Sequence, residues 1–152
     1  MEGCINKGYY LTKKLLCKYE LETIKIEDFP EIEICDPDET CPYVDASDFL
    51  MGSCQLFAIE LNKKFGYPIY AIILKGQMIH CFCQVQKNET TYYIDVRGIT
   101  NDYSNFLSET NVLKESNFVI KEYIVDSFDE WDEIGLKFAQ LLIEKNPEYY
   151  KI

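Results

Sequence analysis

Between positions 53 and 97 the hydrophobic period of the chain switches from helical to alternating, and that switch constrains the fold more than any other feature. Cys54, Phe57, Ala58, Leu61 and Phe65 recur at helical spacing, which predicts a helix over 53–65. Lys63, Lys64 and Gly66 mark its end, with Pro68 just beyond. The β-branched and aromatic run Ile69–Leu74 reads as a buried strand, and Gly76 turns the chain. Segments 78–86 and 91–97 then read as two strands joined by the polar tetrapeptide 87–90, a hairpin.

The flanks are less legible. Residues 9–19 fit a short helix or a strand. Over 20–33, Ile24, Ile26 and Ile32 alternate partly (Ile34 continues the series), which predicts extended structure broken at Pro30. Cys35 to Pro42 is an acidic, turn-rich stretch. Residues 98–115 are mixed, with a short helix at 103–107, and 117–125 is a further strand. Ser127 and Glu130 have the spacing of a capping box, opening a helix to about Lys145 that would bury Trp131, Ile134, Phe138, Leu141 and Leu142. The expected layout is one domain over 1–152, with a core at 46–126, an N-terminal extension at 1–45 and a C-terminal helix at 127–146.

Hydrophobic residues make up 47% of the 152, enough for a packed globular core. The formal charge of −11 argues against a nucleic-acid partner, whose phosphates call for clustered Lys and Arg. It leaves room for a basic protein partner. No charged-then-apolar leader is visible, and the longest apolar run is too short to span a bilayer. With seven cysteines, an odd number, the expectation is a reduced cytoplasmic protein with no membrane association. The sequon at Asn88 then reads as a polar turn. No phosphate-cradling glycine motif is present. Cys35 and Cys41 lack zinc-knuckle spacing, and strand alternation turns Cys81 and Cys83 away from His80, so neither metal nor cofactor is expected.

What stands out chemically is Cys54, His80 and Asp95, in the order nucleophile, base, orienter; His80 is the only histidine. A thiol attacks as thiolate, a form favoured at a helix N-terminus and beside an imidazolium that a carboxylate holds in place. On the hairpin, His80, Phe82 and Gln84 share one face of the first strand, and Tyr93, Asp95 and Arg97 share the matching face of the second. With the 87–90 loop, Phe82 opposes Asp95 and His80 opposes Arg97, so His80 and Asp95 are diagonal neighbours. A slip of two residues would put them directly opposite, and a slip of one would separate them.

Three blocks carry a family resemblance. Gly52-Ser53-Cys54-Gln55-Leu56-Phe57-Ala58, with Leu61 and then Phe65-Gly66-Tyr67-Pro68, resembles the nucleophile helix of transglutaminase-like proteins. His80-Cys81-Phe82-Cys83-Gln84-Val85 resembles the family's histidine strand, and Tyr92-Tyr93-Ile94-Asp95-Val96 its aspartate strand. The resemblance covers about a third of the chain. It implies an α+β, papain-like core: a nucleophile helix packed on a small antiparallel sheet, with Cys54 as nucleophile, His80 as base and Asp95 as orienter. Phe82 stands where tryptophan is commoner, the stretch from Cys54 to His80 is short, and no upstream glutamine completes an oxyanion hole. The Cys54 backbone N–H or the Gln55 side chain could serve instead. Arg97 could bind a substrate carboxylate or pair with Asp95.

The implied activity is cysteine-dependent hydrolysis or acyl transfer at an amide or acyl bond of a protein, peptide or small molecule. Protease, amidase, deamidase and transglutaminase-type chemistry all share its steps. The alternative is an acidic, non-catalytic binding or inhibitor protein on the same fold, of the kind bacterial or viral effectors use, to which the acidic stretch 27–39 points.

Overall fold

The structure, a computed structural model, describes residues 21, 24–32, 43–108, 110, 117–126 and 132–152. The chain is α+β. Its elements in order are α1 (Asp48–Met51), α2 (Cys54–Phe65), β1 (Ile69–Leu74), β2 (Gln77–Lys87), β3 (Thr90–Asp95), β4 (Gly98–Thr100), α3 (Tyr103–Leu107), β5 (Phe118–Glu122) and α4 (Asp132–Lys145). The strands form one antiparallel sheet in the order β4-β3-β2-β1-β5.

The helix expected over 53–65 is α2. Gly66 closes it in the left-handed conformation (φ 76°), donating its N–H to the Asn62 carbonyl at 2.8 Å. Only a residue without Cβ enters that conformation freely, so the glycine sets where the chain leaves the helix for β1. Lys75-Gly76 and Asn88-Glu89 are two-residue turns in which every residue has positive φ, which matches the twist of the strands they join. The β2–β3 register pairs Cys83 with Ile94 and Lys87 with Thr90, the pairing that strand alternation predicted.

One face of the sheet carries α2, against which α4 packs, and the main core lies among them. Leu56, Phe57, Ala58 and Leu61 of α2 meet Phe138, Ala139, Leu142 and Ile143 of α4, with Cys81, Cys83 and Ile94 from the sheet. The opposite face holds a smaller cluster of Ile72, Phe82, Phe106 and Leu107, roofed by α3. Segment 20–33 departs from the extended structure that its isoleucines predict. Ile26–Asp28 is a 3-10 turn whose Asp28 carboxylate accepts the Lys25 N–H, and among the described residues of the segment only Lys25 makes a strand-like bridge, to Asp45. Leu21, Ile26, Phe29 and Tyr43 are buried in the main core. The Phe29 and Phe138 rings lie 5.4 Å apart.

The strand expected over 91–97 ends at Asp95. Val96 and Arg97 form a turn, and Gly98, at φ 118°, leads back into the short β4, which the sequence pattern did not indicate. In α4, Phe138, Leu141 and Leu142 are buried as expected and Ile134 partly so; Ser127, Glu130 and Trp131 fall outside the described residues, as do 9–19, Ile34, Cys35 and Cys41. Among the described residues no helix is long and apolar enough to cross a membrane.

Gly135 marks the closest approach of α4 to α2. A Cβ there would lie 2.6 Å from Leu56 Cδ1 and still nearer the Tyr43 ring. Gly135→Ala is therefore expected to destabilise the fold by about 1–3 kcal/mol through overpacking, despite alanine's better helix propensity. A fall in the urea midpoint at unchanged slope would show it; a stabilised variant would mean that the helices are not in this contact.

Candidate functional site

Cys54 is the first residue of α2, and its thiol points at β2. The sulfur accepts the Cys81 backbone N–H at 3.2 Å. The registered ladder between β2 and β3 stops at Cys83 and Ile94, because β3 turns away at Val96. The thiol takes the Cys81 donor just beyond the end of that ladder, level with the sheet. His80 precedes the contact and Cys81 makes it, so the sulfur has the imidazole to one face and the Cys81 side chain to the other.

A bulge precedes His80. Ile72 pairs with His80 but Ile73 pairs with Met78, which leaves Ile79 extra. Such a residue bends the strand and re-aims the side chains beyond it. Ile79 and His80 thus both turn to the smaller cluster, where the imidazole stacks on Phe82 (centroids 5.9 Å, planes 13° apart) and lies 6.0 Å from Phe106. From His80 onward the alternation runs as the sequence predicts, with Cys83 on the α2 face donating to the Ala58 carbonyl at 3.4 Å.

The imidazole and the Asp95 carboxylate meet. His80 Nε2 is 3.0 Å from Asp95 Oδ2, and both side chains are buried. Arg97 clamps the other side of the carboxylate. Its Nε donates to Oδ1 at 3.1 Å, its Nη2 to Oδ2 at 2.7 Å, and its backbone N–H to Oδ1 at 2.9 Å. The guanidinium also donates through Nη1 to the Ser108 carbonyl (2.6 Å) and through Nη2 to the Phe106 carbonyl (2.8 Å). Of the two uses considered for Arg97, the geometry gives the salt bridge: at 4% exposure the guanidinium is committed to Asp95 and the end of α3 rather than to a substrate carboxylate.

Charge and burial compete at each group. Burial opposes ionisation of Asp95, but the Arg97 charge and the hydrogen bonds from His80 and Arg97 outweigh it and hold the carboxyl well below the usual range. Burial likewise opposes charging of His80. The hydrogen bond to Asp95, with the Cys54 thiol and the charges of both partners, overcomes it and raises the imidazole to about 9. His80 Nδ1 is buried and makes no well-formed hydrogen bond among the described residues, although the Cys54 thiol is near enough to influence the ring. Loose thiol–imidazole contacts are common where no substrate is bound. With Nε2 on Asp95, Nδ1 is left as the nitrogen to exchange a proton with the thiol.

The half-buried Gln55 has its side-chain oxygen 3.8 Å from the Cys54 sulfur, so its amide group stands beside the thiol. Three contributors had no local sequence signal. Ser108 and Phe106 supply carbonyls at the end of α3, and Tyr150 donates to the Val96 carbonyl at 2.7 Å, pinning the turn between Asp95 and Arg97. Among the described residues no group of three or more side chains could hold a metal ion, and Cys83 lies on the face away from His80. Comparison of the chain with protein-family models, curated proteins and solved structures gives no match.

Arg97→Met is expected to cost about 3–5 kcal/mol, because it strands a buried carboxylate. The double variant Asp95→Asn/Arg97→Met should recover part of that loss; strictly additive losses would contradict the coupling.

Because His80 is the only histidine, one imidazole titration can be followed by NMR without assignment, with a midpoint near 9 expected. The folded value lies above the ordinary 6.5, so the stabilisation from His80 is full below about 6.5 and is lost as pH rises towards 9. The carboxyl of Asp95 lies below its ordinary 3.8, so its contribution is full above 3.8 and fades only in stronger acid. The denaturation midpoint should accordingly decline between pH 6.5 and 9; a rise over that interval would show that His80 is held neutral.

Proposed function

We propose that the protein is a cysteine-dependent hydrolase or acyltransferase acting on an amide or acyl bond. The observation that carries this reading is the run of contacts from Arg97 through Asp95 and His80 to the strand on which the Cys54 sulfur rests. Cys54 attacks the carbonyl carbon while His80 takes the thiol proton or pairs with a thiolate already formed. Asp95 holds the ring, and the resulting acyl-enzyme passes to water or to an amine. The Cys54 backbone N–H at the start of α2 would donate to a developing oxyanion, and the Gln55 side chain would join it with its amide turned so that the NH2 faces the sulfur. The order of a nucleophile helix followed by the histidine and aspartate strands supports a papain-like or transglutaminase-like core.

A chromogenic acyl ester such as p-nitrophenyl acetate tests this directly. A stoichiometric burst of p-nitrophenolate with the acyl group mapped to Cys54 is expected, and Cys54→Ala should abolish it. Cys54→Ala removes one sulfur from a small site and should leave the fold intact, at a cost of about 1–2 kcal/mol. An equal burst from folded Cys54→Ala protein would end the catalytic reading.

Burial of the site favours one other reading. Cys54 is 4% exposed and His80 is fully buried. In a non-catalytic acidic protein that binds a basic partner, the thiol–imidazole–carboxylate group would serve only as a buried polar network. In that case Cys54→Ala would retain the biological effect, and reversing acidic surface charges would remove it.

A further inference from the structure

We infer that Cys54 and Cys81 form a reversible oxidation site, in which a hydroperoxide converts the Cys54 thiol to a sulfenic acid and Cys81 resolves it as a disulfide. The inference shares with the proposed function the premise that the Cys54 sulfur is the reactive one.

Proximity is set by the backbone. The Cys54 sulfur takes the hydrogen bond of Cys81's own N–H at 3.2 Å. The Cys81 side chain branches from the adjoining Cα, so covalent geometry holds the two sulfurs within about 7 Å. Rotations about χ1 at both cysteines, with a small shift of the helix start, would bring the sulfurs to the spacing a disulfide needs. Cys81 also senses the Cys54 charge, which raises its thiol further after burial has done so. Both cysteines are free and buried.

The third buried thiol among the described residues is excluded by position. Cys83 is two residues further along β2, about 7 Å away along the strand. It is engaged with α2, donating to the Ala58 carbonyl at 3.4 Å, and the charge that raises it is that of Asp95, not Cys54. Cys81 and Cys83 point the same way from one strand and cannot bridge each other without disrupting it. Cys54 is also the more open member of the pair, at 4% exposure against 1% for Cys81, so a small oxidant meets it first.

The chemistry balances. The Cys54 sulfur attacks the distal oxygen of the hydroperoxide, the O–O bond breaks, and the other oxygen leaves with a proton as alcohol or water. The sulfur, oxidised by two electrons, is a sulfenic acid. The Cys81 sulfur attacks it, the S–S bond forms, the S–O bond breaks, and the hydroxyl leaves as water with the Cys81 proton. An external thiol reverses the bridge by exchange. Its effect would be to protect the Cys54 sulfur from the irreversible sulfinic acid while masking it from acyl substrates.

The test treats reduced full-length protein with hydrogen peroxide, blocks free thiols with iodoacetamide, and maps the unreduced digest by mass spectrometry. The expected product is a Cys54–Cys81 linked peptide, absent before oxidation and lost on adding dithiothreitol, with Cys54 alkylation restored. In Cys81→Ala, Cys54 should go to sulfinic acid and dithiothreitol should no longer restore it, whereas Cys83→Ala should behave as wild type. Should Cys81→Ala fail to fold, the wild-type map alone decides. Sulfinic acid at Cys54 without linkage, linkage of Cys54 to another cysteine, or no oxidation at Cys54 would each overturn the inference. A protein whose Cys54 acylates normally yet never links to Cys81 would refute this site while leaving the proposed function standing.

Discussion

The Asp95 carboxylate is the group on which the rest of the site depends. A carboxylate with 2% of its surface exposed is stable only if its charge is matched and its oxygens are bonded. Arg97 does both, from two residues away, through three hydrogen bonds. That is possible because β3 ends at Asp95 and the chain turns sharply into β4, bringing the guanidinium back over the carboxylate. The guanidinium then needs its own acceptors, and the end of α3 provides two carbonyls. The short helix, the short strand and the turn between them thus form one electrostatic unit.

On its other side the same carboxylate fixes His80, and His80 links the two halves of the molecule. The imidazole stacks in the small aromatic cluster beneath α3, while the Cys54 thiol belongs to the helix on the opposite face of the sheet. The two can meet only where the sheet is open in its plane. The departure of β3 after Asp95 makes that opening, and His80 lies just beyond the last registered pair of β2 and β3. Irregularities that interrupt an otherwise regular sheet are therefore what bring the thiol, imidazole and carboxylate together. Cys81, whose N–H holds the sulfur, puts a second thiol at the same opening, the pair on which the proposed oxidation site rests.

Much of this was legible in the sequence where one physical signal dominated. Helix α2 is marked by its apolar stripe and by Gly66; the hairpin register comes from alternation and a short polar loop, and with it the nearness of His80 and Asp95. The isoleucines of 24–32 suggest a strand because partial alternation resembles one, whereas Asp28 bonding back to Lys25 favours a 3-10 turn. Strand β4 is three residues long, too short for any period to show. The Ile79 bulge leaves no trace in a run of residues that all suit a strand. Arg97 could be read as a partner of Asp95 but not chosen for it over a substrate, since the choice depends on the carbonyls of Phe106 and Ser108. Tyr150 is 54 residues from Val96, and nothing local marks it.

The central claim is that His80 governs the reactivity of Cys54, and the alkylation rate of Cys54 by iodoacetamide measures it most directly. Peptide mapping after brief exposure at neutral pH resolves that rate from those of the other six cysteines. The account predicts that Cys54 is alkylated ahead of Cys81 and Cys83, whose burial raises them well above an ordinary thiol, and that His80→Asn slows Cys54 at least about tenfold in a protein that remains folded. A rate at Cys54 unchanged by His80→Asn would contradict it, because the imidazole would then be a buried structural group with no hold on the sulfur.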